Sequence, residues 1–427
     1  MECWAIRNPE PITPTLQYSI TPNSNIAPYT ENLQSPMLQV FLKLNRDMPI
    51  RRGHPWIFSG AIERCQGDDQ IVDVADIFDN KKNWLGRGLY NPKSTLRVRL
   101  LTWKKETIDQ GFFANRLVQA LAFRAEQLGA ANNAYRLING EGDLLPGLIV
   151  DRYADYFVCQ FYTAGMESFK EEIVAALSEL CPATGIFERS EGRVREEEGL
   201  EAVVGVLAGE PPPETLTTQE NGHKFLVDLR RGQKTGFFLD QRDSRQFLST
   251  LTRGRSVLNC FAYTGGFSVY AYAGGAKEVV TFDSSMPALE LAEKNLQLNG
   301  FADAPGEVIK GDAFAYLKET DGKFDVIVLD PPSLAHRRGD LDAATGGYKF
   351  LNLHALKHLN PGGILLTFSC SQHLPRELFQ KVIFGAAVDA GRKASIVKQL
   401  GHPIDHPVSL HHPEGEYLKG LALRMMD

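Results

Sequence analysis

The rhythm of apolar segments after about residue 224 constrains the fold most strongly. Five short, nearly continuous apolar runs are separated by helical segments. Strands that lack polar alternation are buried on both faces, and strands that alternate with helices pair in parallel. Residues 224–427 are therefore predicted to form an α/β, doubly wound, Rossmann-like domain, which binds its ligand beyond the carboxyl ends of its strands. The five runs are SVLNCFA (256–262), EVVTFD (278–283), GEVIKGD (306–312), FDVIVLD (324–330) and GGILLTFS (362–369).

Two further units are predicted ahead of this domain. Residues 37–108 contain short strand-like runs with turns between them, which indicates a small β domain. Residues 109–223 combine a helical stretch with strands broken by Gly-Asp and Pro-Gly turns, which indicates a middle α+β unit. Residues 1–36 contain six prolines and no apolar period, so a disordered extension is predicted there.

Composition excludes several classes of protein. An apolar fraction of 43% and a charged fraction of 23% are ordinary for a soluble globular chain. No apolar run approaches the roughly 18 residues of a membrane span, and the N-terminus lacks the pattern of a signal peptide. The six cysteines are scattered without a CxxC pair, so reduced thiols, a cytoplasmic protein and no metal site are expected.

The charge is unevenly distributed along the chain. The net charge is −6, yet residues 37–108 hold 13 basic against 8 acidic residues. This pattern fits a protein that touches nucleic acid with one part only, although chance unevenness explains it equally well. Arg51, Arg52, Lys81 and Lys82 are predicted to contact the phosphates of a nucleic acid, with a solvated charged face as the alternative.

Polar residues end the predicted strands at the edge where a ligand is expected. A Gly265-Gly266 loop follows the first strand, and the next three strands end at Asp283, Asp312 and Asp330. Glycines allow close approach of the backbone to a ligand, a carboxylate at the second strand suits ribose hydroxyls, and one at the third suits an adenine amino group. A helix N-cap explains each acid singly. The set of three acids with a glycine loop therefore predicts a nucleotide-like cofactor.

These segments together resemble the class I S-adenosylmethionine-dependent methyltransferases. The chain from residue 37 onward also contains more specific motifs, which are GHPWIFSGAIE (53–63), YRLINGEGDLLPGLIVDRY (135–153), QKTGFFLDQRDSR (233–245), FDVIVLDPPS (324–333) and GGILLTFSCS (362–371). With these motifs it resembles the bacterial large-subunit ribosomal RNA cytosine-5 methyltransferases with an N-terminal PUA domain. The resemblance implies an RNA-binding PUA domain over 37–108, S-adenosylmethionine as cofactor and ribosomal RNA as partner; no membrane partner is expected, and a homodimer stays open.

The resemblance also implies which residues hold the cofactor. It assigns the methionine end to Asn259 and the Gly265 loop, the ribose to Asp283, the adenine to Asp312, and part of the cleft wall to residues 237–241. The implied cofactor-binding set is Phe238, Asp240, Gln241, Asn259, Tyr263, Thr264, Gly265, Gly266, Asp283 and Asp312.

The fifth strand ends in TFSCS, which places Cys370 at the same edge. Carbon 5 of cytosine is a poor nucleophile, and a thiolate that adds to C6 activates it by covalent catalysis. Cysteine suits this task because a few per cent of an unperturbed thiol is ionised at neutral pH. Cys370 is therefore predicted as the nucleophile, and the resemblance implies that Asp330 contacts the base near N3. Core packing is the alternative for Cys370, and Cys260 is its rival.

Weaker candidates surround this site. Arg337 and Arg338 follow the Pro331-Pro332 pair and are predicted to touch the RNA backbone, and Tyr348 is predicted to stack on a base, with a core tyrosine as the alternative. Ser333 stands where some related enzymes carry a second cysteine, so product release needs another base. Four histidines between 402 and 412 lie in a proline-rich stretch without supporting cysteine or carboxylate spacing, which argues against a metal site.

Two other functions stay open. The Asp-Pro-Pro sequence after the fourth strand also occurs in N-methyltransferases, where the substrate amine attacks directly and no cysteine is needed. An RNA-binding assembly factor that retains the fold without chemistry is the second alternative. Loss of cofactor binding would favour it.

Overall fold

The structure is a computed structural model that describes residues 37–335 and 337–427. The predicted extension over residues 1–36 lies outside the described part of the chain, and so does His336. Residues 37–427 form one compact unit.

The first part of this unit is a six-stranded sheet in the order β2-β6-β5-β4-β1-β3. All of its pairs are antiparallel except β1 with β4. Alternate side chains such as Val40, Ile77 and Val98 point inward and are fully buried, as expected for strands with one solvated face. The elements are β1 (Leu38–Leu42), α1 (Met48–Arg51), β2 (Trp56–Phe58), β3 (Ile62–Gln66), β4 (Asp73–Phe78), β5 (Trp84–Tyr90) and β6 (Leu96–Thr102).

The middle part is a five-stranded sheet in the order β11-β10-β9-β8-β7. Helices α2 and α4 contribute to its core with Phe113 and Ile173, which are fully buried. Asp109 caps α2 by accepting a hydrogen bond from the backbone N–H of Phe112 at 2.9 Å. The elements are α2 (Gln110–Leu128), β7 (Ala134–Asn139), β8 (Leu148–Tyr153), β9 (Tyr156–Phe161), α3 (Ala164–Ser168), α4 (Lys170–Leu180), β10 (Gly185–Ser190), α5 (Arg193–Glu197) and β11 (Val203–Gly209).

A hairpin connects the middle part to the C-terminal part. Its strands are β12 (Leu216–Glu220) and β13 (His223–Val227). Phe225 packs in one core with Tyr153 of the middle part and Tyr270 of the C-terminal part. The boundary predicted at residues 223–224 therefore falls within this hairpin, and the two parts on either side share a core.

The C-terminal part contains a seven-stranded sheet in the order β16-β15-β14-β17-β18-β20-β19. The first five strands are parallel, which confirms the predicted Rossmann-like α/β class, while β20 runs antiparallel to both of its neighbours. The elements are α6 (Arg242–Ser249), β14 (Ser256–Cys260), α7 (Gly266–Ala273), β15 (Glu278–Asp283), α8 (Met286–Leu298), β16 (Gly306–Lys310), α9 (Ala313–Glu319), β17 (Phe324–Leu329), α10 (Leu341–His358), β18 (Leu359–Ser369), α11 (Arg376–Asp389), β19 (Ala394–Leu400) and β20 (Lys419–Met425).

Among residues 37–335 and 337–427, no helix combines the length and the apolarity that are needed to cross a bilayer.

Candidate active site

The carboxyl ends of β14, β15, β17 and β18 open into a cleft of about 210 Å³. Its remaining wall is the segment between β13 and α6, together with the residue that precedes β20 by one position. The lining residues are Gln233, Lys234, Phe237, Phe238, Asp240, Gln241, Arg245, Phe261, Ala262, Tyr263, Thr264, Gly266, Phe267, Asp283, Ser284, Asp330, Pro331, Pro332, Cys370 and Leu418.

The loop after β14 has an unusual backbone. Phe261 and Tyr263 have φ angles of 61° and 49°, a left-handed conformation that costs energy for bulky residues and clusters at functional sites. The backbone N–H of Tyr263 donates to the Asp283 carboxylate at 2.8 Å, which holds the loop against the end of β15. Gly265 has φ of 76°, and a Cβ there would lie 2.9 Å from the Cβ of Ala292. A glycine is needed at 265 to let the loop pack on α8.

Three polar atoms on the cleft wall indicate whether the cleft suits a ligand that consists of a nucleoside and an amino-acid tail. Asp240 Oδ1, Gln241 Oε1 and Thr264 Oγ1 are buried and have no hydrogen-bond partner within residues 37–335 and 337–427. Buried polar groups in folded proteins are almost always paired. Hydroxyl and amino groups of S-adenosylmethionine would supply such partners, so the residues present fit this cofactor.

Most of the predicted cofactor residues line the cleft, and three do not. Asn259 is fully buried and donates to the hydroxyl of Ser268 at 2.9 Å, one residue before β14 ends. Gly265 shapes the loop from behind. Asp312 is exposed and caps α9 by accepting a hydrogen bond from the backbone N–H of Ala315 at 3.0 Å. Such an N-cap is the alternative to cofactor binding that the sequence left open. The lining members of the set are Phe238, Asp240, Gln241, Tyr263, Thr264, Gly266 and Asp283.

An ion pair at the mouth of the cleft was not predicted from the sequence. The ammonium group of Lys234 pairs with the carboxylate of Asp240 and lies 4.6 Å from the ring centre of Phe238. Tyr417 donates its hydroxyl proton to the same carboxylate at 2.8 Å. Burial opposes the ionisation of Asp240, but Lys234 and His406 outweigh it and hold the pKa of Asp240 well below its usual range.

A buried salt bridge supports the cleft wall from behind. The Arg245 guanidinium donates twice to the Glu220 carboxylate, at 2.8 and 2.7 Å, and once to the backbone carbonyl of Phe238 at 3.0 Å. Tyr270 donates to the same carboxylate at 3.1 Å, and the Arg245 guanidinium lies 4.5 Å from the ring centre of Phe237. Hairpin strand β12 is thereby fixed to α6 and to the aromatic floor of the cleft.

Asp330 and Cys370 lie in this cleft after the adjacent strands β17 and β18. Burial raises the pKa of Asp330 to about 7, and the Asp240 carboxylate adds to the effect. Burial also raises the pKa of the Cys370 thiol to about 11, with Asp330 as the next cause. Cys370 is therefore far less ionised at neutral pH than an ordinary thiol. The rival Cys260 is fully buried in the core cluster of the sheet and does not line the cleft.

A chain of hydroxyl groups joins the loops that carry these two residues. Tyr348 bonds to Ser371 at 2.9 Å and accepts from Ser369 at 2.9 Å. Ser371 also contacts the hydroxyl of Ser333 at 3.0 Å. Tyr348 is fully buried, so the prediction that it stacks on a base is wrong. Its hydroxyl group instead takes part in the hydrogen bonds that connect the loop after β17 with the loop after β18.

The predicted RNA-contact residues lie apart from the cleft wall. Arg51 is bound to Asp47 at 2.5 Å and to Asp79 at 2.6 Å, which leaves its charge largely neutralised. Three other predicted residues are exposed in the N-terminal part, within the first sheet or beside it. Arg337 is exposed in the loop after β17. The side chain of Arg338 lies outside the described part of the chain. The three exposed residues of the N-terminal part are Arg52, Lys81 and Lys82.

Comparisons with known proteins agree with this architecture. The family profile described as S-adenosylmethionine-dependent methyltransferase matches residues 175–390, and the PUA-like domain profile matches residues 40–103. A solved Streptococcus mutans chain described as a SAM-dependent methyltransferase has a TM-score of 0.78 at 24% identity and covers 91% of this chain and 100% of its own. A solved methyltransferase complexed with SAH has a TM-score of 0.79 at 24% identity, over the same shares of the two chains. These structures support the fold.

Sequence relatives are much more similar. A protein of Alteromonas mediterranea is 45% identical over 91% of this chain and 99% of its own length, and one of Aeromonas salmonicida is 47% identical over 90% and 98%. Both carry the name ribosomal RNA large subunit methyltransferase I. The chain therefore belongs to the S-adenosylmethionine-dependent methyltransferases, in the family of the proteins called ribosomal RNA large subunit methyltransferase I.

Proposed function

We propose that the protein methylates carbon 5 of a cytosine in large-subunit ribosomal RNA, with Cys370 as the nucleophile. The observation that carries this proposal is the presence of Cys370 and Asp330 in one cleft, after two adjacent strands. The names of the relatives support ribosomal RNA as the substrate. The resemblance to the cytosine-5 methyltransferases supports cytosine C5 as the target, and a thiol beside a carboxyl group is consistent with that chemistry.

The cofactor site of the proposal uses the residues of the cleft wall. Asp283 is placed to accept from ribose hydroxyls, because each of its oxygens has accepted only one backbone N–H, from Tyr263 and Ser285. The unpaired atoms of Gln241 and Thr264 offer further polar contacts. When bound, S-adenosylmethionine supplies an electrophilic methyl group on its sulfonium sulfur.

Cys370 supplies the covalent step. Its thiol releases a proton to solvent in the open cleft, and the sulfur electron pair forms a bond to cytosine C6. Electron density moves to C5, which becomes nucleophilic enough to take the methyl group. Loss of the C5 proton then returns the electron pair to sulfur, and the C–S bond breaks.

Asp330 handles the protons of the base. With a pKa of about 7, both its protonated and its ionised forms are populated at neutral pH. The protonated form donates to cytosine N3 as the thiolate adds to C6, which neutralises the charge that develops on the ring. The ionised form that remains accepts the C5 proton, a role that Ser333 lacks the basicity to fill, and the proton on N3 leaves to solvent when the C–S bond breaks.

One observation favours a second candidate. The raised pKa of Cys370, about 11, leaves the thiol protonated at neutral pH. An N-methyltransferase needs no nucleophilic cysteine, because the substrate amine attacks directly. In that case Cys370 would be part of the cleft wall only.

Nucleoside mass spectrometry separates the two candidates. Unmodified ribosomal RNA is incubated with the full chain and methyl-labelled S-adenosylmethionine, then digested. We expect label in 5-methylcytidine, and Cys370→Ala should lower it by several orders of magnitude, whereas Cys65→Ala, in the first sheet, should not. Label in an N-methylated base that survives Cys370→Ala would establish the second candidate. Binding of RNA without any label would indicate an assembly factor.

A further inference from the structure

Lys419 is a buried amine that the mechanism above does not use. It is the first residue of β20, and its Cα pairs with that of Ser369, which directly precedes Cys370. The residue is 2% exposed. Its ammonium group donates to the backbone carbonyl of Ser371 at 2.7 Å. Lys419 therefore contacts the end of β18, where the thiol of Cys370 lies.

The surroundings of Lys419 leave its charge without a partner. Within residues 37–335 and 337–427 no carboxylate lies within 4.0 Å of its ammonium nitrogen. The nearby Glu416 is bound to Arg376 at 2.6 Å. Lysine is almost never fully buried unless it is paired, because the loss of hydration is costly. A purely structural position at the start of a core strand would be filled more favourably by an apolar residue.

Two lysines lie near Cys370, Lys234 and Lys419, and they differ in whether a carboxylate neutralises their charge. Lys234, on the cleft side, is already neutralised by Asp240. Lys419 is buried, and its ammonium group donates to a backbone carbonyl, which carries no net charge. The group at this strand end that can become negative during the reaction is the thiol of Cys370.

We propose that Lys419 is the counter-charge of the Cys370 thiolate, an inference that rests on the proposed role of Cys370 as nucleophile. The ammonium group keeps its proton throughout the reaction. It lowers the energy of the thiolate when the thiol proton leaves to solvent, and the electron pair of the sulfur then forms the bond to C6. Because Lys419 acts through Cys370 and not on the base, it is a positioning residue.

The charges around the pair are consistent with this role. Burial lowers the pKa of Lys419 to about 8, with Glu416 and Cys370 acting in the opposite direction. The ammonium form therefore still predominates at pH 7. Asp330 opposes ionisation of the thiol from the cleft side. Lys234 lowers the pKa of the thiol, but its partner Asp240 raises it, so a further positive charge at Lys419 favours the thiolate.

Alkylation of Cys370 by iodoacetamide measures this effect without turnover. The rate follows the thiolate fraction, and it is read from the Cys370 peptide by mass spectrometry between about pH 6.5 and pH 7.5, where the ammonium form of Lys419 predominates. An opposite charge nearby changes a pKa by about one unit or more, so Lys419→Gln should slow alkylation at least about tenfold. Its amide can still donate to the Ser371 carbonyl, so only the charge is lost. Lys419→Arg should stay near the wild-type rate.

Lys398→Met is the matched control, since it removes an exposed lysine from the neighbouring strand β19 and should leave the rate unchanged. Melting temperatures are recorded for every variant, and Lys419→Met serves as a second neutral variant if the glutamine variant does not fold. A wild-type alkylation rate in a folded neutral variant would overturn the counter-charge role. Unchanged 5-methylcytidine formation in Cys370→Ala would instead overturn the proposed function.

Discussion

Replacement of Asp330 by asparagine tests whether the carboxyl group and the thiol of the cleft work as a pair. Their pKa values are about 7 and about 11, so at pH 8 the free protein carries mainly a carboxylate and a neutral thiol. The proposed chemistry needs the reverse arrangement, a thiolate beside a protonated carboxyl group. Both arrangements contain the same number of protons, so their ratio does not depend on pH.

The expected pH profile follows from these values. Because the two pKa values differ by about four, the reactive arrangement is about 10⁻⁴ of the protein. The wild-type kcat/KM should rise about tenfold per pH unit up to pH 7 and then stay level to about pH 8, where Lys419 begins to lose its proton. In Asp330→Asn the carboxyl group no longer titrates, so kcat/KM should continue to rise, by about tenfold between pH 7 and pH 8. Its absolute value should be lower, because an amide can donate a hydrogen bond to N3 but cannot transfer a proton.

The assay is kcat/KM for RNA with methyl-labelled S-adenosylmethionine between about pH 5.5 and pH 9. Asp321→Asn is the control, since Asp321 is exposed ahead of the same strand β17 and should reproduce the wild-type profile. A wild-type profile without a break near pH 7 would refute the pairing. The same break in the asparagine variant would also refute it, because another group would then be responsible.

Three further predictions concern the supports of the site and the RNA. Glu220→Gln leaves a buried guanidinium without its carboxylate, and we expect a loss of about 3–5 kcal/mol in the free energy of unfolding, measured with urea against the exposed Glu319→Gln. Tyr348→Phe breaks the hydroxyl chain and should lower kcat about tenfold, at a stability cost of about 1 kcal/mol and with an unchanged KM for the cofactor; a change in KM alone would contradict this. Lys81→Gln combined with Lys82→Gln should weaken RNA binding and reduce the slope of its salt dependence by about two, and an unchanged slope would remove both residues from the interface.

Much of the cleft was predictable because parallel sheets follow a geometric rule that does not depend on the side chains. The carboxyl ends of parallel strands share one edge, so residues that follow different strands meet there. Asp283, Asp330 and Cys370 obey this rule and all line the cleft. Asp312 follows a strand in the same way, yet its carboxylate caps α9. At such a position a hydrogen bond from the carboxylate to the nearby backbone competes with ligand binding. The spacing of residues in the sequence does not show which of the two the carboxylate makes.

The residues that were missed come from contacts between distant segments. Lys234 and Tyr417 meet at Asp240 although 183 positions separate them in the chain. Lys419 reaches the Ser371 carbonyl, next to Cys370, only because β20 inserts antiparallel between β18 and β19, and strand order is not encoded in apolar patterning. Tyr348 was predicted to stack on a base, with a core tyrosine as the alternative, and its burial agrees with the alternative. The sequence pattern around it does not distinguish a side chain that faces the core from one that faces a ligand.

Asp405 shows why composition could not define the domain limits. It is fully buried and accepts two bonds from Arg242, at 2.9 and 2.7 Å, and one from the backbone N–H of Arg136 at 3.0 Å. Its own carbonyl accepts from Arg124 at 3.0 Å. Arg124 and Arg136 belong to the middle part, so a chain cut at residues 223–224 would lose these donors and Glu220, the carboxylate partner of Arg245. We infer that the middle part is a structural component of the catalytic domain, since the charges buried between them are costly unless both are present.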